Sequence, residues 1–247
     1  MKKIVFLFLL MLVAGLIYVF VMSSPTNKES TIAYINGEPL SVELLKLKIT
    51  QNRTFILSHF SNKYKILNTK AFWETRFGEG EVPSEFLKQK ALKESIRFMI
   101  QQILAKEKGI LEDISYEGFL ANLKRVNEDR KLAVIEKKII YGLIEYTETT
   151  YFDHLFNQLV ISLKAKLAQK EFDLSDEHLR TIYNLKKEML YKKSGTNNPP
   201  EYFSFNEVQS AVRSNCIDSQ YDQLIDNLVA VAKIKLNKDL YEKIKIK

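Results

Sequence analysis

Four side chains between positions 173 and 178 are of types that bind divalent metal ions: Asp173, Asp176, Glu177 and His178. Acidic residues are also favoured in the first turn of a helix, because the aligned peptide dipoles place partial positive charge there. The four residues stand at the start of a predicted helix. The sequence therefore favours helix capping over a metal site, and no metal ion is predicted.

Two glutamates that flank a glycine, Glu79 and Glu81, could act as a general acid and a general base. They lie in a predicted loop, where solvated carboxylates are the more ordinary interpretation. The one cysteine, Cys216, lies on an apolar helical face and is predicted to be a small core residue. The chain has no G-x-S-x-G or H-E-x-x-H motif, no cysteine pair and no glycine-rich phosphate loop. The sequence therefore predicts neither an enzyme nor a cofactor.

The N-terminal segment has the length and composition of a transmembrane helix. Residues from Ile4 to Met22 are uncharged and almost wholly apolar, and at about 1.5 Å per residue they span about 28 Å. Lys2 and Lys3 precede the segment, so the N-terminus is expected in the cytoplasm and the rest of the chain outside the cell membrane. Residues 1–23 are predicted as a cytoplasmic tip and anchor, and residues 24–31 as a polar tether. A cleaved signal peptide and a secreted protein are the alternative.

The charge of the chain gives no reason to expect nucleic acid as a partner. The formal net charge is +7 over 247 residues, and charges of both signs alternate along predicted helices, as on solvated helix faces. The hydrophobic fraction of 46% is enough to build a core. A single cysteine cannot form an intramolecular disulfide, so the fold must depend on packing.

Local signals place a strand and a helix at the start of the domain. Residues 32–35 are predicted as a strand, and Asn36 and Gly37 suit a turn with positive φ. Ser41 is predicted as the N-cap of a helix that runs to about Lys65. The turn is expected to lead the chain directly into this helix.

Apolar residues at helical spacing predict five further helices, at about 83–109, 115–136, 148–170, 176–191 and 205–232. Pro83 suits a helix start and Gly109 a helix end. Ser204 and Glu207 form a capping box before the last of these helices.

The chain is predicted to end in a strand, because charged and apolar residues alternate after position 233. A lone strand leaves its backbone groups unpaired and cannot bury a face. We therefore expect Ile32–Ile35 to pair with Ile234–Leu236 in a small sheet. This pairing joins the N-terminal helices to the long C-terminal helix.

Four segments carry longer motif patterns, and their order along the chain is informative. They are INGEPLS at 35–41, Phe72-Trp73 with the helix at 83–110, LSDEHLRTIYNLKKEMLY at 174–191 and SFNEVQSAVRS at 204–214. The first two resemble the N-terminal chaperone domain of the SurA- and PrsA-type extracytoplasmic foldases. The third resembles the helix before the parvulin-type prolyl isomerase domain of these foldases, and the fourth resembles the helix after it.

The resemblance implies a mostly α fold: a multi-helix chaperone module with a small terminal sheet, preceded by one transmembrane helix. The module would comprise residues 32–110 with 174–241, and residues 115–170 would form an intervening helical lobe. The segment between Tyr191 and Ser204 is too short to hold a parvulin domain. The resemblance therefore implies a Gram-positive, PrsA-like protein without prolyl isomerase activity.

A chaperone must expose apolar area to unfolded chains. The client-binding candidates are the aromatic residues of the irregular segment and of the helix ends: Phe60, Tyr64, Phe72, Trp73, Phe77, Tyr202 and Phe203. Trp73 has an alternative role as a core residue between the first two helices. Tyr202 and Phe203 are alternatively a hydrophobic staple.

The sequence thus predicts a membrane-anchored holdase that binds unfolded secreted polypeptides through apolar contacts. One alternative is a structural or adaptor protein with a single envelope or membrane partner. A second alternative is a degenerate prolyl isomerase.

Overall fold

The computed structural model describes residues 30–66, 71–193 and 199–246. The predicted anchor at 1–23 and most of the predicted tether at 24–31 lie outside these ranges. Within them, no helix is both long enough and apolar enough to cross a bilayer.

The described chain is mostly helical, as predicted. It contains seven α-helices, namely α1 (Val42–Tyr64), α2 (Pro83–Glu107), α3 (Tyr116–Ile135), α4 (Glu148–Lys170), α5 (Asp176–Leu190), α6 (Phe205–Ala230) and α7 (Lys238–Glu242). The three strands in the same ranges are β1 (Thr31–Ile35), β2 (Glu38–Ser41) and β3 (Ile234–Leu236). A short 3₁₀ turn covers Phe72–Glu74.

Local caps explain why these helices begin and end close to the residues that were predicted from the sequence. The Ser41 hydroxyl accepts a hydrogen bond from the Leu44 N–H at 3.1 Å. The Glu207 carboxylate accepts one from the Ser204 N–H at 2.7 Å, and Gly109 has the positive φ of a helix C-terminus. The short helix α7 has no counterpart among the predicted elements.

The predicted pairing of the chain ends is confirmed. The sheet has the strand order β2-β1-β3, and β1 pairs antiparallel with β3 so that Ala33 lies opposite Leu236 and Ile35 opposite Ile234. The contact is extended by Asn36, whose N–H donates to the Lys233 carbonyl at 2.9 Å. The two termini of the domain therefore share one sheet.

The prediction that Asn36 and Gly37 lead directly into α1 is wrong. Both residues have positive φ, as in the two-residue turns of β-hairpins, and they connect β1 to a further strand, β2. Pro39 has no backbone N–H to donate. It is tolerated in β2 because β2 lies at the edge of the sheet, where not every N–H has a partner strand. A four-residue strand that contains a proline has too little periodicity to be recognised in the sequence.

The first core cluster lies between the sheet, α1 and α2, where Ile32, Ile35, Leu45 and Leu87 are fully buried. The second lies between α2, α4 and α6 and contains Leu104, Leu163, Leu167 and Ile225. In the third, α5 packs on the first half of α6. The helix α6 thus joins the sheet end of the molecule to its α5 end.

A buried hydrogen bond fixes α6 against α2. The Tyr221 hydroxyl donates to the Gln101 side-chain oxygen at 2.6 Å, and burial raises the pKa of Tyr221. On the surface, the Arg97 guanidinium forms ion pairs with Asp222 and Asp226.

The helix α3 contributes little to these clusters, mainly through the half-buried Phe119, which packs on the first of them. Leu123 is its one buried residue, whereas α4 belongs to the second core cluster. The second half of α3 and the segment 136–147 that returns to α4 form a projecting arm. The proposed division into a module and a lobe at 115–170 stays a prediction.

Candidate functional site

Three of the predicted client-binding residues are buried. Phe60 and Phe72 are almost inaccessible to water, and Trp73 retains 7% of its surface. The Phe60 and Phe72 rings meet edge to face at 6.1 Å, and the Phe72 and Trp73 rings at 5.0 Å. The expectation that these three are exposed is wrong, because the irregular segment packs its rings against α1 and α2. Trp73 has the core position that was its alternative.

Tyr64 and Phe77 are half-buried at the edge of the same aromatic group. Their rings stack at 5.4 Å. The Glu81 carboxylate accepts hydrogen bonds from Lys63 and from the Tyr64 hydroxyl, each at 2.8 Å. Lys63, and then Tyr64, lower the pKa of Glu81. A carboxylate held in its charged form does not suit a general acid, so Glu81 lacks the raised pKa that such a role needs.

The residues Asp173 to His178 act as a helix start. Asp173 accepts hydrogen bonds from the Ser175 N–H and hydroxyl, which lower the pKa of Asp173. Asp176 binds Arg180 on the next turn. In the described ranges no three such side chains are placed to hold a metal ion. Cys216 is buried, with its thiol directed at the Asp173 carbonyl.

Tyr202 and Phe203 lie on the connection between α5 and α6. Tyr202 is half-buried, and Phe203 is 40% exposed. The Phe203 backbone is held from both sides, because its N–H donates to the Tyr191 carbonyl and its carbonyl accepts from the Tyr183 hydroxyl. Three apolar residues of α5 are also exposed, namely Leu185, Met189 and Leu190. We call these three residues the α5 face.

The largest group of exposed apolar side chains lies at the end of the arm and was not predicted. Seven of the thirteen residues from 132 to 144 are large, apolar and exposed: Leu132, Val134, Ile135, Ile139, Tyr141, Leu143 and Ile144. We call them the arm tip. Ile139 is 81% exposed and Tyr141 84%. The available sequence signal was the apolar density of LAVIEKKIIYGLI across a helix end.

Hydrogen bonds, and not a core, hold the arm tip in place. The Arg130 guanidinium donates to the carbonyls of Leu143 and Tyr141, both at 2.6 Å. The Asn127 side chain exchanges two hydrogen bonds with the backbone of Tyr146. The return segment is therefore fixed along α3 while its apolar side chains stay in water.

A cleft of about 750 Å³ opens at the base of the arm, between α2, α3, α4 and the loop at 110–115. We call it the aromatic cleft, because Phe98, Phe119, Phe152 and Phe156 line it. The Phe98 and Phe152 rings lie 4.6 Å apart. Its volume is in the range of about 300–1,000 Å³ that suits a small ligand or a few side chains.

Lys48 of α1 lies under the rings of the aromatic cleft. Its ammonium nitrogen is 4.4 Å from the centre of the Phe152 ring. Burial lowers the pKa of Lys48, and the charges of Glu94 and Asp153 oppose this effect. The lysine is thus a charge held among aromatic rings, at a cost in desolvation.

A Lys48→Met variant tests this electrostatic assignment. The folded state has the lower pKa, so below the ordinary value of 10.5 the unfolded state binds more protons. The contribution of Lys48 to stability should therefore rise as the pH approaches 10.5 from below. We expect the unfolding free energy of the wild type, minus that of Lys48→Met, to increase between pH 7 and pH 10 in urea denaturation. A difference that stays flat or falls would contradict the lowered pKa.

Comparison with known proteins gives one informative relative. The chaperone for lacto-N-biosidase of Bifidobacterium longum subsp. longum is 22% identical to this chain over 167 residues, which cover 68% of the chain and 57% of that protein. The chain thus spans less than two thirds of this relative. No protein-family model and no solved structure matches the chain. The resemblance to SurA- and PrsA-type foldases stays a prediction.

Proposed function

We propose that this protein is a chaperone that holds unfolded polypeptides by its arm tip. The observation that carries the proposal is the exposure of seven large apolar side chains on a backbone that is fixed by hydrogen bonds. Contact with an apolar client segment removes such area from water, at about 25 cal/mol per Å². This attraction is not directional, so it suits clients of varied sequence.

The name of the Bifidobacterium relative supports a chaperone role in general. The finer description comes from the sequence: a SurA/PrsA-type holdase, anchored by residues 1–23 with its domain outside the membrane, whose clients are secreted polypeptides. Alkaline extraction of membranes tests the anchor. Retention of the full chain in the membrane supports an uncleaved anchor, and release supports the cleaved signal.

The connection between α5 and α6 supports the absence of an isomerase domain. Lys192 pairs with Tyr202 in an antiparallel bridge, and the Lys193 N–H donates to the Glu201 carbonyl at 2.9 Å. The bridge therefore joins two residues that are only ten positions apart in the sequence. Acceleration of a proline-limited refolding reaction would instead support the degenerate isomerase.

The decisive experiment is aggregation suppression by the full chain, reconstituted in lipid nanodiscs, on a reduced secreted client. We expect the triple variant Ile135→Ser, Ile139→Ser and Tyr141→Ser to lose most of the suppression at equal concentration. Thermal unfolding should change little, because these side chains have no core contacts to lose.

The matched control removes three exposed apolar residues elsewhere: Leu185→Ser, Met189→Ser and Leu190→Ser. It should retain more than half of the suppression. If the control variant loses activity and the arm variant keeps it, the α5 face with Phe203 is the client surface. If neither variant loses activity, clients do not bind through exposed apolar contacts.

A second candidate function is a chaperone for one dedicated partner. The observation in its favour is that the relative's name specifies one enzyme as the protein that it serves. Suppression of aggregation for several unrelated clients would argue for a general holdase. Failure with all of them, together with one stoichiometric partner recovered by crosslinking in cells, would argue for the dedicated protein.

A further inference from the structure

We propose that the arm tip of one chain binds the aromatic cleft of a second chain, and that two such contacts, related by a two-fold axis, join a dimer. The tip is apolar and exposed, and the cleft is aromatic and open. Nothing in this contact requires a client, so it goes beyond the proposed function.

Two acidic residues belong to the lining of the aromatic cleft. Glu112 and Asp113 are both exposed to water, and neither carboxylate belongs to an ion pair in the described chain. Arg125 also lines the cleft, but Asp129 at 3.1 Å neutralises its guanidinium. The lining of the cleft therefore presents two carboxylates without an ion-pair partner, of which Asp113 accepts a hydrogen bond from the Ser115 N–H at 2.8 Å.

The arm tip carries the opposite charge. Lys137 has no ion-pair partner among the described residues. The Arg130 guanidinium donates to backbone carbonyls and lies over the Tyr146 ring, and no carboxylate pairs with it in the described chain. The other two lysines are each paired with a glutamate, Lys131 with Glu145 and Lys138 with Glu136. Two positive charges at the tip therefore complement two negative charges at the cleft, around apolar surfaces on both sides.

The tip cannot reach the cleft of its own chain. The first half of α3, from Gly118 to Arg125, forms one wall of the cleft. The tip begins at Leu132 on the same helix and extends away from that wall by at least about 10 Å, at 1.5 Å per residue. The bonds of Arg130 keep the return segment along the helix. The occupant must therefore come from another molecule.

A two-fold arrangement follows from the position of both surfaces on one arm. If two arms lie side by side in opposite directions, each tip meets the cleft of its partner. Such an interface is isologous, so every contact occurs twice, and a substitution in the chain changes both copies of a contact.

Cysteine crosslinking of full chains in membranes tests the contact. One tagged chain carries Tyr141→Cys at the tip, and a differently tagged chain carries Gln158→Cys at the cleft. A short bismaleimide should join the two tags in one product. The buried native Cys216 should not react. The matched control pairs Gln158→Cys with Leu185→Cys on the α5 face, and it should give at least about tenfold less product.

Charge exchange gives a second and independent readout. Glu112→Lys and Lys137→Glu, each introduced into both chains, should weaken dimerisation about tenfold in sedimentation of the detergent-solubilised chain. The two substitutions together restore opposite charges and should return most of the affinity. Circular dichroism of each variant verifies that it is folded.

The outcomes separate this contact from other uses of the tip. Equal product from the control pair, a monomer at all concentrations, or no recovery in the double charge variant would overturn the proposal. A tip cysteine that crosslinks only to unrelated polypeptides or to lipid would also overturn it. Dimerisation is measured without a client, so its failure leaves the aggregation assay of the proposed function unaffected.

Discussion

A chain that ends after Val231 is expected to lose about 5 kcal/mol or more of its free energy of unfolding. The removed segment carries six half-buried apolar residues that pack on the first core cluster: Ala232, Leu236, Leu240, Tyr241, Ile244 and Ile246. Burial of the hydroxyl group raises the pKa of Tyr241 to about 12. Since small domains are stable by only about 5–15 kcal/mol, such a loss takes up much of the total.

The truncation also unpairs one side of β1. The Asn237 N–H donates to the Ile32 carbonyl at 2.9 Å, and the Asn36 N–H donates to the Lys233 carbonyl. Without these partners β1 becomes an edge strand beside a core that it helps to cover. The effect should therefore reach α1 and α2, which precede the cut by more than 100 residues.

Hydrogen exchange in residues 42–64 measures this effect. We expect faster exchange throughout α1 in the chain that ends after Val231. The control is a chain that ends after Glu242, which keeps β3 and α7 and should lose about 2 kcal/mol. If α1 exchanges at the same rate in the wild type and in the chain that ends after Val231, the terminal sheet does not stabilise the N-terminal helices.

Phe60→Ala should be the most destabilising of the aromatic substitutions, by about 3–5 kcal/mol. The ring of Phe60 has no exposed surface. Its centre lies 6.1 Å from the ring centre of Phe72, and 5.8 Å from the ring centres of both Phe77 and Phe86. Its removal leaves a cavity between α1, α2 and the 3₁₀ turn that rigid neighbours cannot fill.

Phe55→Ala is the matched control on the same helix. Phe55 is 54% exposed and contacts Lys90, so its loss should cost about 1 kcal/mol or less. Urea denaturation measures both variants. Below its melting temperature, Phe60→Ala should suppress client aggregation as the wild type does. A loss of suppression in a fully folded Phe60→Ala protein would instead assign client contact to this ring.

The separation of the arm tip from the core clusters is what makes the proposed function physically consistent. Residues that bind clients must be apolar, yet they must not be used in folding. Hydrogen bonds from Asn127 and Arg130 supply the order that burial supplies elsewhere. Stability and client binding can therefore be changed by different substitutions.

Features set by neighbours along the chain were predictable from the sequence. Ser41 and the pair Ser204 and Glu207 specify helix starts through bonds that span three residues. Asn36 and Gly37 specify a turn because both tolerate positive φ. The pairing of β1 with β3 was also predictable, since neither strand can satisfy its backbone alone.

The use of each apolar residue was decided by the tertiary structure. Trp73 and Ile139 are both large and mainly apolar, but Trp73 packs on α1 and α2, whereas Ile139 is exposed to water. Apolar character makes burial of a side chain favourable. Whether the side chain can be buried depends on the positions of elements that are distant in the sequence. The strand β2 could not be predicted because its extended conformation depends on pairing with β1. The arm tip could not be predicted because its exposure depends on the absence of any packed element over it in the described chain.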